Sequence, residues 1–383
     1  MVGPGFTLLQ VVPELQTGGV EQTAVDVAAA VVRAGGRALV ASRGGRMEPR
    51  LAEVGGELVR LPVQSKNPLI MAANAARLAD LIRAESVSLV HARSRAPAFS
   101  ALWASRHAGR PLVATYAGVY NARSPLKRWY NAVMTRGDLV IANSEFTRQH
   151  VLREHGVAPD RVIAIPRGVD LARFDPAAVS PARRAAARRA LGTSRHDKRT
   201  VILLAARLTR WKGQSLLIAA TRRLRGEGRR DFKIVLAGDH QGRWDYRHEL
   251  GNDLVHGASI VGHCDDMPAA YLVADIAASP SLEPEAFGRT SAEAQAMGRP
   301  VLAADHGGAR ETVVHGETGW LVTPGDTVAW AMALAEALDT PPERRRAMGE
   351  AGRQRVRRLY SVDAMTDATL AAYDRVLRER AAR

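Results

Sequence analysis

The chain has 383 residues, 46% hydrophobic and 24% charged, with a formal net charge of +15. That length favours two domains, and the composition excludes collagen-like and wholly disordered chains. A single cysteine, Cys264, excludes an intramolecular disulfide framework and a Cys-built zinc site, and no run of 18 apolar residues is present to cross a bilayer.

In chain order, short apolar runs alternate with amphipathic stretches. Strands are predicted at Phe6–Val12, Ala38–Ser42, Glu57–Val63, Ser88–His91, Leu112–Tyr116, Leu139–Ala142 and Val162–Ile165. Helical periods separate them at Gly19–Arg33, Leu69–Arg83, Pro97–Ala108 and Ser124–Arg136. After a Pro-interrupted, Arg/Ala-rich connection at Asp170–Lys198, the rhythm returns. Strands follow at Arg199–Ala205, Phe232–Ala237, Ser259–Val261, Ile276–Pro280, Val301–Ala304 and Gly319–Val322. Their helices are predicted at Gly213–Arg225, Pro268–Val273, Ser291–Met297 and Val328–Leu338. This alternation predicts an α/β fold of two parallel-sheet lobes, residues 1–175 and 176–360, facing a central cleft. A last amphipathic stretch, about 361–383, is expected to cross back to the first lobe. The chain does not open on a charged segment leading into an apolar one, so no secretory signal is expected.

The positive charge is shared by both halves: 21 basic against 13 acidic residues in 1–170, and 33 against 26 in 171–383. Residues 86–137 hold eight basic residues and no Asp or Glu. Such a field attracts anionic substrates, acidic lipid headgroups or nucleic acid. Zinc spacing, helix-turn-helix cues and aromatic RNA-binding motifs are missing from the sequence, which argues against nucleic acid.

Three segments carry chemistry. Thr17-Gly18-Gly19-Val20-Glu21 follows the first strand, and paired glycines there let backbone approach a ligand. Arg207-Leu-Thr-Arg-Trp-Lys212-Gly213 follows the strand ending at Ala205, placing a guanidinium and an ammonium where a diphosphate could be neutralised. Glu285-Ala-Phe287-Gly288-Arg-Thr290-Ser-Ala-Glu293 puts one carboxylate before a helix and another on its second turn. The amides of Phe287–Thr290 then form a partly positive helix start suited to phosphate.

With Arg167-Gly168-Val169-Asp170, Ala237-Gly238-Asp239, Gly307-Gly308-Ala-Arg-Glu311 and Gly316-Glu-Thr-Gly319, these segments stand in an order that resembles family 4 of the retaining glycosyltransferases, with the GT-B fold of two Rossmann-like domains. The resemblance covers nearly the whole chain and implies a metal-independent hexosyltransferase acting on a UDP-, GDP- or ADP-linked sugar. Arg207 and Lys212 would neutralise the diphosphate, with Gly18 and Gly19 approaching it from the other lobe. Glu293 would bind the ribose, and Glu285, Phe287, Gly288 and Thr290 the donor sugar and phosphates. The segment Val261–Met267, with His263 and Met267, would cradle the base. His91, Arg93 and Tyr116 would meet a glycan or glycolipid acceptor, an anionic one such as a lipopolysaccharide intermediate fitting the basic first lobe. Members of the family commonly carry His-Gly where this chain has Ala117-Gly118. Trp129 and Tyr130, beside Arg123, Lys127 and Arg128, read as a face for the cytoplasmic membrane surface, and the expected location is cytoplasmic, peripheral on that membrane. Two other readings share the fold: a nucleotide-sugar-binding protein without transfer, and an epimerase.

Overall fold

A computed structural model describes the chain except Thr17, Asn121, Arg123, Val255, His256 and Arg383. It divides into two compact units, Met1–Gly168 with Val362–Arg383, and Val169–Ser361. The boundary therefore falls at Gly168, earlier than the 175 expected. The Arg/Ala-rich helix Pro181–Ala190, read as part of a connection, belongs to the second unit. Its Ala187, with Leu191 just after it, is buried in that unit's core.

The first unit is built on seven strands, β1 Thr7–Val11, β2 Arg37–Ser42, β3 Glu57–Arg60, β4 Leu89–Ala92, β5 Leu112–Tyr116, β6 Leu139–Ala142 and β7 Val162–Ala164. They pair in the order β3-β2-β1-β4-β5-β6-β7, all parallel. Apolar residues continue along each strand because both faces are covered. Alternate residues such as Leu8, Val40 and Leu89 pack in one cluster with helix Gly19–Arg33. Leu9, Leu39 and Val90 pack in the other, with Pro68–Ala84 and Arg95–His107.

The second unit has six strands, β8 Thr200–Ala205, β9 Phe232–Ala237, β10 Ala258–Gly262, β11 Ile276–Ser279, β12 Val301–Ala304 and β13 Gly319–Val322. Their order, β10-β9-β8-β11-β12-β13, is again wholly parallel. Where the chain joins this unit, Val169 donates its amide to the Tyr360 carbonyl at 2.7 Å and bridges to Ser361. The two connections to the first unit thus lie side by side. Helix Val362–Ala381 then packs on the first unit, burying Met365, Ala372, Tyr373 and Val376.

Each sheet reverses its order once, between β1 and β4 and between β8 and β11. Open parallel sheets bind ligands in the crevice outside the strand carboxyl ends at such points. The helices missing from the sequence reading include Glu48–Glu53, Glu145–His155, Trp244–Asp253, Ala309–Thr312 and Pro342–Leu359. The last of these buries only Met348 and Val356 as apolar side chains, with two glycines between them. A Cβ at its Gly349 would collide with the Gly298 carbonyl, and one at Gly352 would press on Gln295. The stretch Ser124–Arg136, predicted as one helix, breaks into helix Pro125–Ala132 and a 3-10 turn at Val133–Thr135.

Candidate active site

At the β8/β11 crevice, the loop after β8 ends in Gly213, whose φ of 74° lies in the left-handed region. A Cβ there would collide with the Pro280 carbonyl. Glycine is therefore required twice over, and its absent side chain lets this loop lie against the loop after β11. The amide of Leu282 fastens the pair by donating to the Trp211 carbonyl at 2.6 Å. Lys212 Nζ consequently reaches Glu285 Oε1 at 2.8 Å, with both side chains largely buried. Ser281 donates to the same oxygen at 2.5 Å and Ser279 at 3.4 Å. Oε2 takes part in none of these bonds.

Burial alone would push the Glu285 carboxyl up; Lys212 and the two serine hydroxyls outweigh it and hold the group below its ordinary range. It stays a carboxylate at neutral pH. Lys212 also sits over the Trp211 ring, 4.3 Å from its centre. An ammonium has three N–H donors, so one can hold Glu285 while others face a ligand.

Glu293 lies on the second turn of helix Arg289–Ala296, 8% exposed, and accepts from Arg289 Nε at 2.7 Å. Here burial prevails over Arg289 and the carboxyl is raised. The helix begins at Gly288, with φ 84°, and its first amides lack partners within the helix. The Phe287 side chain is 3% exposed and packs edge-on against Tyr360, so only its backbone can meet a ligand. Thr290 is fixed through its carbonyl, which accepts from the buried Tyr271 hydroxyl at 3.2 Å. Gly308 donates to the Glu285 carbonyl at 2.8 Å, and a Cβ on it would press on Phe287. Gly238 lies so close to Ala206 that a Cβ would strike its carbonyl. The glycines of three separate motifs are thus the contacts that let neighbouring loops stack.

Arg207 is exposed, its Nη1 3.4 Å from Gln241 Oε1. His263 is exposed beside Asp265, with Nε2 3.1 Å from Oδ1. Met267 is the half-buried first residue of helix Met267–Val273 and packs on the core. Asp266 accepts both Arg183 nitrogens at 2.8 Å and caps that helix.

In the first unit, a small cavity of about 30 Å³ opens beyond the ends of β4, β5, β6 and β7. His91 and Arg93, both expected to meet the acceptor, line it, and the His91 ring is held from both sides by protein. It is fully buried, with Nδ1 2.5 Å from the Tyr373 hydroxyl and Nε2 2.7 Å from Thr115 Oγ1. Burial, then the charge of Arg93, holds it well below the ordinary imidazole value, hence neutral. Tyr116 is a correction: strand alternation turns Thr115 and Ala117 to the cavity and sends Tyr116 into the core. There its ring meets that of Tyr120 at a tilt, centres 4.7 Å apart, and its hydroxyl lies 3.2 Å from His155 Nε2. Gly18 and Gly19 begin helix Gly19–Arg33, whose Val20 and Thr23 reach the cavity wall; Thr17 lies outside the described residues, as does Arg123.

Sequence reasoning missed Ser279 and Ser281 as partners of Glu285, although the small polar residues after β11 marked the place. It also missed Arg289, Asn143 and Tyr373 and gave Arg167 only as part of a motif, because the fold alone brings them to these sites. Among the described residues, no group of three His, Cys, Asp or Glu side chains is placed to hold a metal.

Residues 17–173 match the model of Glycosyltransferase Family 4, and residues 191–355 that of Glycosyl transferases group 1. A glycosyltransferase from Rickettsia africae, known from its crystal structure, is 33% identical, with a TM-score of 0.88 over 97% of this chain and 98% of that one. The chain belongs to glycosyltransferase family 4. As in other GT-B glycosyltransferases, its two parallel-sheet units are Rossmann-like domains. This glycosyltransferase is also 34% identical over 269 residues to the D-inositol 3-phosphate glycosyltransferase of Kineococcus radiotolerans, covering 65% of this chain and 60% of that one. In eight curated relatives of that name, the match spans 49% to 60% of their length. Anabaena Alr3699/HepE, crystallised in complex with UDP-glucose, shares the fold at 24% identity and a TM-score of 0.78, over 96% of this chain and 99% of that one.

Proposed function

We propose that this glycosyltransferase moves a hexose, with retention and without a metal ion, from a nucleotide-diphosphate sugar to a hydroxyl of an anionic glycan or glycolipid. The observation that carries the reading is the Lys212–Glu285 contact at the β8/β11 crevice, beside the first amides of helix Arg289–Ala296. An ammonium held in place by a buried carboxylate, an exposed guanidinium at Arg207 and a helix start together suit a diphosphate. The neighbour crystallised with UDP-glucose favours a uridine donor.

In the proposed reaction the bond from the sugar's anomeric carbon to the diphosphate oxygen breaks. The acceptor oxygen bonds to that carbon on the same face, and its proton passes to the departing phosphate. Charge grows on both fragments. Lys212 and Arg207 stabilise the phosphate, and the ionised Glu285, through Oε2, stabilises the cationic sugar. Glu293 accepts two ribose hydroxyls when ionised.

The first domain supports the acceptor side. Trp103 and Trp129, 45% and 52% exposed, flank Phe99 at ring distances of 6.3 and 5.5 Å. Leu126, Lys127 and Arg128 are exposed on the same short helix as Trp129. Aromatic and basic side chains so arranged suit an acidic membrane surface on the cytoplasmic side. Flotation with acidic and neutral vesicles tests this: wild type should rise with acidic vesicles and Trp129→Ala/Lys127→Glu should not. Equal failure with both lipids removes the membrane claim. For the chemistry, purified protein with UDP-glucose should release UDP and an α-configured product; release of an epimerised sugar nucleotide without acceptor would establish the epimerase instead.

A further inference from the structure

In the donor reading Glu293 accepts the ribose hydroxyls, which requires its carboxyl to be ionised. Burial works against that, and two cations oppose burial: Arg289, through its charge and a hydrogen bond, and more weakly Arg173, on the turn after Asp170. The Tyr271 hydroxyl approaches from a third element, helix Met267–Val273, but donates to the Thr290 carbonyl. Arg289 Nε meets Glu293 Oε1 at 2.7 Å. Oε2 takes part in no hydrogen bond among the described residues.

Helix stability does not explain this pair. Arg289 is the first residue of its helix, where the positive end of the macrodipole disfavours a cation. The order is also the weaker one, since an acid at i,i+4 spacing from a base supports a helix better from the N-terminal side. The Arg289 side chain is 43% exposed, so it is not a packing element of the core either. What the contact does secure is the carboxylate. An ionised carboxyl has about four acceptor positions, so Oε1 can take Arg289 and one hydroxyl while Oε2 takes another. A protonated carboxyl offers fewer and turns one oxygen into a donor. A buried carboxyl without a counter-ion takes up a proton. We propose that Arg289 is a positioning residue for the donor: it keeps Glu293 ionised and turned toward two ribose hydroxyls, and does not itself hold the diphosphate. The inference rests on the reading of Glu293 as the ribose-binding group.

Calorimetric titration of the full chain with UDP and with pyrophosphate separates the roles, because pyrophosphate has no ribose. Near neutral pH, Arg289→Leu should bind UDP about tenfold more weakly than wild type. It should bind pyrophosphate equally well, which also shows that the crevice is folded. Near pH 8.5 the uncompensated Glu293 loses its proton, and the UDP deficit should shrink to about twofold; alkali would not repair a general loss of structure. A deficit shared by pyrophosphate, a deficit unchanged by pH, or undiminished UDP affinity would overturn the proposal. Glu293→Gln, titrated in parallel, keeps the failures apart. Weaker UDP binding there, with none in Arg289→Leu, defeats this inference alone. Full UDP affinity in Glu293→Gln defeats the ribose reading itself, and this inference with it.

Discussion

Both Rossmann-like domains open a crevice where the strand order reverses, but they treat charge in opposite ways. In the second, the buried carboxylates at the crevice are already matched: Glu285 with Lys212, and Glu293 with Arg289. In the first, no carboxylate among the described residues is ion-paired with the buried Arg93, which is steadied by Gln10, the Tyr373 hydroxyl and, at longer range, the charge of Asp26. The paired site is held in shape before a ligand arrives, which is what a reaction dominated by electrostatic stabilisation requires.

The largest expected effect breaks the paired side. Glu285→Gln keeps an acceptor for Lys212 but removes the negative charge, and turnover should fall at least about 100-fold, with a smaller change in donor KM; unaltered kcat would remove Glu285 from the reaction. Gly213→Ala should come next. A methyl group against the Pro280 carbonyl at positive φ forces the two loops apart, and we expect a loss of about 2 kcal/mol or more in denaturant unfolding, together with weakened UDP binding.

Glu293 gives a subtler contrast. Since burial raises its carboxyl, the ionised form is a burden on the folded state at neutral pH, and protonation on acidification relieves it. Glu293→Gln should therefore raise Tm, by about 2 °C, while weakening UDP binding. Wild-type affinity for UDP should likewise fall as pH drops through the raised value, at a pH where an ordinary glutamate is still ionised. Glu285, whose carboxyl is depressed, contributes stability that is complete above the unfolded-state value and is lost only as pH falls through the lower folded one. A Tm lowered by Glu293→Gln would contradict this assignment of burden and function.

These contrasts also explain what could be read from residues alone. The second-domain site lies in short segments bracketed by glycines, and three of them mark close approaches that the fold later shows: Gly213 on Pro280, Gly308 on Phe287, Gly238 on Ala206. Spacing along the chain was therefore enough to single out Lys212, Glu285 and Glu293. The first-domain cavity has no such local signature. Its walls come from four strand ends, helix Gly19–Arg33 and a helix more than 270 residues downstream of His91. Tyr116 was misread because adjacent strand residues face opposite sides, and Thr115, one place away, is the one that reaches the cavity. The fold was legible wherever apolar runs were long. It was not where Pro342–Leu359 buries glycines, which leave no mark in hydropathy.

The central claim is that the buried ammonium at the β8/β11 crevice holds the donor's diphosphate. It is tested most directly by calorimetric titration of UDP into wild type and the double variant Lys212→Met/Glu285→Gln, which discharges the pair without leaving either charge alone in the interior. The account predicts a folded protein whose affinity for UDP is at least tenfold weaker. The same affinity in both proteins would contradict it.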